Sequence, residues 1–214
     1  TDLKMSKLYI DIGASSKKEA EKNVQIGDMG IFAPNYSENN NRITSNYLDD
    51  RVGCVALIEA LKNIENNFHN LYFVFSSQEE VGTRGAKTAA YKIEPDIGIA
   101  VDVTATGDTP ESHTMDVSLG EGTAIKIKDS LSITHPMVKD YLINICEKNS
   151  INYQLEVLEA GGTDAGSIHL TKGGVPSGTI SIPTRYIHSP GEMIDLEDLK
   201  NSIELIKNIA NTKI

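Results

Sequence analysis

Two adjacent glutamates, Glu79 and Glu80, follow the apolar run LYFVF in the segment SSQEEVGTRGA. Neighbouring carboxylates repel each other, so a nearby positive charge is needed to offset that repulsion. A divalent metal ion would supply it, because one glutamate can bind the ion while the other accepts a proton from metal-bound water. The alternative that stays open for these two residues alone is a solvated loop.

Three further acids and one histidine lie at other predicted element ends: Asp49 and Asp50 in LDDR, Asp102 in VDVT, and His188 in IPTRYIHSPGE. Ligands of α/β sheets bind beyond the carboxyl ends of the strands, so these side chains are candidates for one shared site. Carboxylates with one imidazole and no thiolate suit zinc, cobalt or manganese. Helix capping by the aspartates and a single loop hydrogen bond by the histidine remain the structural alternatives.

Helices and apolar strands alternate from about residue 46 onward. The predicted helices are VGCVALIEALKNI, GAKTAAYK, PMVKDYLINICEKN, TDAGSIHLTK and LEDLKNSIELIKNIA, and the predicted strands are LYFVFSS, IGIAVDVT, AIKIKD, YQLEVL and SGTISIP. Continuous apolar strands between helices indicate a sheet that is covered on both faces. The sequence therefore predicts an α/β three-layer sandwich.

The first 45 residues follow a different pattern. Two short strands, LYIDIG and GDMGIFA, are predicted there, together with one helix, SSKKEAEKN, and a polar loop, NYSENNNRITSN. This segment is expected to form a β-rich satellite of the sandwich. Because the chain opens with Thr1 directly before a strand-like segment, we expect it to begin partway through a longer protein.

Composition excludes several classes of partner. The 214 residues carry a formal charge of −10 and no cluster of lysine or arginine, which argues against nucleic acid and anionic membranes as partners. Two cysteines cannot form a disulfide framework, and no apolar stretch reaches the roughly 20 residues that cross a bilayer. Without a signal-peptide pattern at the start, the expected compartment is the cytoplasm.

Six motifs in order resemble one family, the dinuclear zinc or cobalt aminopeptidases that include glutamyl, deblocking and tetrahedral aminopeptidases. The resemblance extends from about residue 7 to the end of the chain. Some members of this family are labelled endoglucanase or cellulase. The matching motifs are NYLDDRVG, FVFSSQEEVGTRGA, AVDVT, GEGTAIKIKDSLSITHP, LEAGGTDAGSIH and ISIPTRYIHSPGEMI.

The resemblance implies a role for each candidate ligand. Asp49 corresponds to the carboxylate that bridges two metal ions, and the peptide bond after that carboxylate is often cis. Asp50 corresponds to a residue that supports the bridging carboxylate without binding a metal ion itself. Glu80 corresponds to a ligand of one ion, and His188 completes that site. Asp102 corresponds to a ligand of the other ion.

The same resemblance assigns the reaction, which is removal of N-terminal residues from peptides. Glu79 corresponds to the general base that activates water and later protonates the leaving amine. Thr163 and Asp164, in the GGTDAG loop, are expected to shape the substrate pocket. A mixed sheet and a homo-oligomer, based on dimers and reaching a dodecamer, are also implied.

One departure from the family pattern stands out. The family supplies another metal-binding histidine from an early His-x-Asp motif, and no such motif precedes Asp49 here. The expectation is therefore a catalytic domain at 46–214 that lacks its N-terminal strands, with an incomplete second metal site and impaired activity. Residues 1–45 are expected to be part of an inserted β-barrel-like dimerisation domain.

Three questions stay open at the level of sequence. A glycoside hydrolase could use two of the carboxylates as acid and nucleophile, but it would give His188 no role. A non-catalytic structural fragment is the second alternative. Selectivity for acidic N-terminal residues would need a basic group in the pocket, for which Arg51, Arg84 and Arg185 are equal candidates.

Overall fold

The structure is a computed structural model that describes residues 4–213. It divides the chain into a smaller unit that ends at Ala33 and a larger unit that begins at Pro34. Within residues 4–213, no helix is long and apolar enough to cross a membrane.

The smaller unit holds two short helical segments, a 3₁₀ turn at Met5–Lys7 and helix α1 at Lys17–Ala20. Ser16 caps α1 by accepting a hydrogen bond of 3.3 Å from the backbone N–H of Glu19, as its sequence pattern predicts. The two predicted strands, LYIDIG and GDMGIFA, are wrong, since neither segment belongs to a sheet in the described part of this unit. An apolar alternating pattern becomes a strand only through a pairing partner.

The larger unit contains one mixed sheet of seven strands, as expected. The central strand β6 runs parallel to β3 and antiparallel to β4 and β7; β4 is parallel to β5, and β2 is antiparallel to both β1 and β7. The strands are β1 (Tyr36–Asn39), β2 (Arg42–Ser45), β3 (Gly98–Thr104), β4 (Thr123–Lys128), β5 (Tyr153–Val157), β6 (Ser177–Arg185) and β7 (Glu192–Asp195).

Two groups of helices cover this sheet and complete the predicted three-layer α/β sandwich. Helices α2 (Leu48–Lys62) and α4 (Pro136–Asn149) pack on α6 (Leu196–Asn211), whereas α3 (Arg84–Ile93) packs on α5 (Ala165–Ile168). Helix α4 begins and ends where the apolar periodicity predicts. Fully buried core residues come from the sheet and from helices α4 and α6; they include Ile125, Leu142, Ile180, Ile182, Ile194 and Leu205.

The predicted polar loop NYSENNNRITSN is instead the hairpin β1–β2. Its two turn residues, Asn40 and Asn41, have φ values of 49° and 64°. Asparagine tolerates this left-handed region, and two such residues form the turn whose twist matches paired strands. Because β2 pairs with β7, the hairpin belongs to the larger unit. The boundary between the two units lies at residues 33/34, earlier in the chain than the domain boundary at 45/46 that the sequence predicts.

The predicted strand LYFVFSS is the other element that differs. No strand is assigned to residues 71–77, and their apolar side chains are partly exposed, with Tyr72 at 67% and Phe75 at 51%. A segment becomes a β-strand by forming backbone hydrogen bonds to a neighbouring strand, and no described strand is hydrogen-bonded to residues 71–77. The apolar run nevertheless leads directly to Glu79 and Glu80.

A buried ion pair joins β4 to β5. Lys126 and Glu156 stand opposite each other in the parallel register, with side chains 2% and 0% exposed, and they form a direct salt bridge. The Thr104 hydroxyl donates a further hydrogen bond of 2.6 Å to the same Glu156 oxygen. A charged pair this deep is stable only while both partners are present.

Candidate metal centre

The start of α2 places Asp49 and Asp50 in the larger unit. Both residues have non-helical backbone angles, and the peptide bond between them is cis, as the resemblance implies. The backbone N–H of Gly53 donates a hydrogen bond of 3.2 Å to Asp50 Oδ1, which ties that carboxylate to the first turn of the helix. A side chain at Gly53 would meet the Asp50 carboxylate at 2.4 Å, so the glycine makes this contact possible.

A tight turn before α3 positions the two adjacent glutamates. The Glu79 carbonyl accepts hydrogen bonds from the backbone N–H groups of Gly82 at 2.9 Å and Thr83 at 2.8 Å. Gln78 and Thr83 lie on either side with left-handed φ values of 61° and 50°. The turn fixes both glutamates between residues 71–77 and α3.

Three residues from separate parts of the chain converge: Asp49, Glu80 and His188. His188 Nε2 lies 3.1 Å from Asp49 Oδ2 and 3.5 Å from Glu80 Oε2. One ligand atom of each residue falls within 4.8 Å of the others, and within residues 4–213 this is the one such group of histidine, cysteine and acidic side chains. Two carboxylates and an imidazole are a fitting donor set for zinc or cobalt.

Glu192, at the start of β7, holds two of these residues in place. It is 3% exposed, and its Oε2 accepts a hydrogen bond of 3.0 Å from the Asp49 backbone N–H. Its Oε1 accepts one of 2.9 Å from the His188 backbone N–H. Sequence reasoning missed Glu192; the signal was a glutamate four residues after the candidate histidine in HSPGE.

We expect Glu192→Gln to weaken metal binding by roughly 10–100-fold, the usual cost of losing a residue that orients ligands. The amide has one acceptor oxygen, so either Asp49 or His188 loses its hydrogen bond. Cobalt titration followed by absorbance measures the change, and exposed Glu121→Gln is the control with the same chemistry. Equal affinity in both variants would remove Glu192 from this role.

Burial and repulsion between carboxylates both raise pKa values in this group. Burial, and then the charge of Glu80, raise the pKa of Asp49 to about 6. Burial, and then the charges of Asp102 and Asp49, raise the pKa of Asp50 to about 9. These carboxylates hold their protons unusually tightly because they are buried and because the neighbouring carboxylates add negative charge.

Glu79 and Asp102 share this environment. Burial, and then the charge of Asp164, raise the pKa of Glu79 to about 7. Burial and then Asp49 raise the pKa of Asp102 well above its ordinary value. Asp102 lies at the carboxyl end of β3, outside the three-residue group, and its Oδ1 accepts a hydrogen bond of 2.8 Å from the Val103 N–H.

A cavity of about 1010 Å³ connects these acids. Asp164 also lines it, and the Ser76 hydroxyl donates a 2.5 Å hydrogen bond to Asp164 Oδ2. The other Asp164 oxygen is buried without a hydrogen-bond partner in the described residues. Thr163 is instead 2% exposed, and its hydroxyl lies 3.0 Å from that of Thr179, within the core.

The three candidate arginines have different surroundings. Arg185 donates two hydrogen bonds to Asp108, of 3.0 and 2.6 Å, so its charge is already matched. Arg84 donates a long hydrogen bond of 3.3 Å to Gln78. Arg51 lies over the Tyr47 ring and lines the cavity.

Similar proteins are known for most of the chain. The model of the M42 glutamyl aminopeptidase family matches residues 1–205. A protein from Acetivibrio thermocellus described as a putative aminopeptidase is 54% identical over 205 residues, which cover 96% of this chain and 62% of that relative. The chain therefore spans about three fifths of the length of this relative.

Solved structures share both fold and sequence with the chain. An aminopeptidase from the archaeon Desulfurococcus kamchatkensis superposes with a TM-score of 0.91 at 47% identity, covering 95% of this chain and 59% of that one. A Pyrococcus horikoshii TET1 peptidase, which can assemble into a tetrahedron or a large octahedral shell, gives 0.82 at 36%, covering 94% and 59%. A Thermotoga maritima structure described as an endoglucanase gives 0.75 at 34%, covering 92% and 58%. The family match over residues 1–205, with these relatives, shows that the chain belongs to the M42 glutamyl aminopeptidase family.

Proposed function

We propose that the protein of which these residues are part is a metal-dependent aminopeptidase that removes N-terminal residues from peptides. The observation that carries this proposal is the convergence of Asp49, Glu80 and His188 with a second glutamate, Glu79, directly beside them in the chain. Membership of an aminopeptidase family supports the same reaction.

Asp49, Glu80 and His188 would hold one divalent ion, zinc or cobalt. When bound, such an ion lowers the pKa of a water molecule and polarises the peptide carbonyl. Glu79 takes the proton of the attacking water and then donates it to the leaving amine. Its raised pKa, near 7, suits a group that must both accept and release a proton near neutral pH.

A second ion would rely on Asp49 as the bridging ligand and on Asp102. These two carboxylates are the ligands proposed from this chain, so we propose that the second site is incomplete in it. Asp50 lies against the start of α2 and is proposed to support Asp49 without binding metal itself.

Substrate contacts are proposed for Asp164, Thr163 and Arg51. Asp164 lines the same cavity as Glu79, and its buried oxygen that has no partner in the described chain makes this carboxylate a candidate for contact with a cationic substrate group. Thr163, which is buried in the core and directly precedes Asp164 in the chain, is proposed to position Asp164. Arg51 is the arginine that lines the cavity, which makes it our candidate for contact with an acidic N-terminal residue.

Assembly and location complete the proposal. Of the predicted range 1–45, the hairpin β1–β2 pairs with β7 of the larger unit, so we propose that the smaller unit, which ends at Ala33, contributes to a β-barrel-like dimerisation domain. We also propose that the protein forms dimer-based homo-oligomers reaching a dodecamer. The assembling TET1 relative supports this. The cytoplasm is the proposed compartment, in line with the two free cysteines, Cys54 and Cys146.

A glycoside hydrolase is the second candidate, favoured by the structural relative described as an endoglucanase. Such an enzyme would need two carboxylates flanking a sugar and no imidazole between them. His188 Nε2 lies within 3.5 Å of both Asp49 and Glu80, and this imidazole favours metal binding over the alternative.

Hydrolysis assays separate the two candidates. The full-length protein, stripped with a chelator and reloaded with zinc or cobalt, should cleave aminoacyl-nitroanilides when loaded and leave β-glucan intact. Cleavage of β-glucan without metal, and no cleavage of the nitroanilides in any state, would contradict the proposal.

A further inference from the structure

The turn that carries Glu79 and Glu80 is closed at its base. The Gly85 N–H donates a hydrogen bond of 2.9 Å to the Ser77 carbonyl. A side chain at Gly85 would meet the Ser77 backbone at 2.5 Å, so the glycine permits this close approach. Together with the hydrogen bonds to the Glu79 carbonyl, this contact makes residues 77–85 one closed loop. Whatever holds the loop therefore also positions both glutamates.

Two side-chain hydrogen bonds join this loop to the start of α5. The Ser76 hydroxyl, directly before the loop, donates to Asp164 at 2.5 Å. On the other side of the two glutamates, the Thr83 and Ser167 hydroxyls are hydrogen-bonded to each other. Asp164 and Ser167 are three residues apart, so they lie on the same face of one helical turn. One face of α5 therefore holds the loop on both sides of the glutamates.

Helix α5 is itself fixed to the sheet. The Thr163 hydroxyl, shortly before the helix, lies 3.0 Å from the Thr179 hydroxyl of β6. Ile168, at the end of the helix, packs on Gly98 at the start of β3, where a side chain would meet Ile168 at 2.3 Å. Because β3 and β6 pair with each other in the sheet, α5 is a firm support for the loop that it holds.

The backbone of Thr83 points to a role for its side chain. Its φ of 50° lies in the left-handed region, which β-branched residues strongly disfavour. Glycine or asparagine would adopt this conformation more readily. Thr83 is nevertheless 6% exposed, with its hydroxyl bonded to Ser167. A threonine in this conformation is explained if the hydroxyl contact is what the position requires.

We propose that Thr83 and Ser167 are positioning residues that hold Glu79 in place through α5. The inference rests on the proposed function, because that function makes Glu79 the general base. Neither Thr83 nor Ser167 lines the cavity, so they act through the loop and not by contact with substrate. A base works only within hydrogen-bond reach of the proton that it takes, and a small displacement is costly in rate. Loss of the hydroxyl pair should therefore slow the chemical step without weakening substrate binding.

Hydrogen exchange at the Gly82 amide tests the positioning without metal or substrate. This N–H donates to the Glu79 carbonyl, so its protection reports whether the loop stays closed. In the 214-residue chain, we expect Thr83→Val and Ser167→Ala each to speed this exchange roughly three- to tenfold, the effect of one neutral hydrogen bond. The double variant should match the single variants, because all three lack the same bond.

Two variants serve as controls for the exchange experiment. Thr83→Ser keeps the hydroxyl and should restore slow exchange at Gly82. Thr88→Val removes an exposed hydroxyl that bonds within α3 and should leave the exchange unchanged. Urea midpoints confirm that all variants fold. Unchanged exchange in both Thr83→Val and Ser167→Ala, or no restoration by Thr83→Ser, would overturn the proposal.

Kinetics of the full-length protein test the consequence for the reaction. We expect Thr83→Val and Ser167→Ala to lower kcat roughly tenfold or more with KM unchanged. Thr83→Ser and Thr88→Val should keep full turnover. Full turnover by Thr83→Val and Ser167→Ala would overturn the proposal. If Gly82 exchange responds as expected but the unmodified protein cleaves no peptide, the proposed function fails while the hold of α5 on the loop stands.

Discussion

Replacement of Glu79 by glutamine should lower peptide turnover by about 10²–10⁴-fold, the usual contribution of a positioned general acid or base. Glutamine keeps the size of the side chain but cannot take a proton from water. Metal content should stay unchanged, because Glu79 lies outside the group formed by Asp49, Glu80 and His188. Turnover of an aminoacyl-nitroanilide and elemental analysis, both on the full-length protein, measure the two quantities.

The control for this change is Glu65→Gln, an exposed glutamate that does not line the cavity. It loses the same charge and should retain full turnover. If Glu79→Gln retained full turnover with its metal content intact, Glu79 would not be the base. Loss of metal together with turnover would place Glu79 among the ligands instead.

Replacement of Lys126 by methionine should lower the free energy of unfolding by about 3–5 kcal/mol. Methionine fills the space of the lysine stem but leaves the Glu156 carboxylate, which is fully buried, without its cation. The Thr104 hydroxyl can satisfy only part of that carboxylate. Urea unfolding at neutral pH measures the loss.

Lys128→Met, two residues further along β4 and exposed, is the matched control and should change stability by less than about 0.5 kcal/mol. A second test joins Lys126→Met with Glu156→Leu, which removes both charges and should recover most of the loss. Equal stability of Lys126→Met and the unmodified chain would show that the pair is not needed for folding.

The sequence predicts those parts of the site that follow apolar segments. His188 comes after β6, as the rule for α/β sheets expects, and Glu80 follows the apolar segment 71–77, which is not a strand in the described sheet; both lie beside Asp49. The helices, including α4 and α6, follow from their apolar periodicity because they pack on neighbours present in the chain.

Elements that depend on a partner are harder to predict. LYFVFSS has the composition of a buried strand, but strand formation requires a neighbour, and the described sheet offers none beside it. The hairpin β1–β2 differs in the opposite direction. Its polar residues resemble a loop in the sequence, but in the structure they form two strands joined by a turn at Asn40 and Asn41. Glu192 was missed because its role, two hydrogen bonds to backbone N–H groups, is marked in the sequence only by its position four residues after His188.

Cobalt binding to the 214-residue chain tests the central claim most directly. A titration followed by visible absorbance should show a bound ion whose signal disappears in His188→Ala. The signal should persist in His113→Ala, an exposed histidine outside the three-residue group. An absence of binding by the unmodified chain, or binding that His188→Ala leaves unchanged, would contradict the assignment of Asp49, Glu80 and His188 as a metal centre.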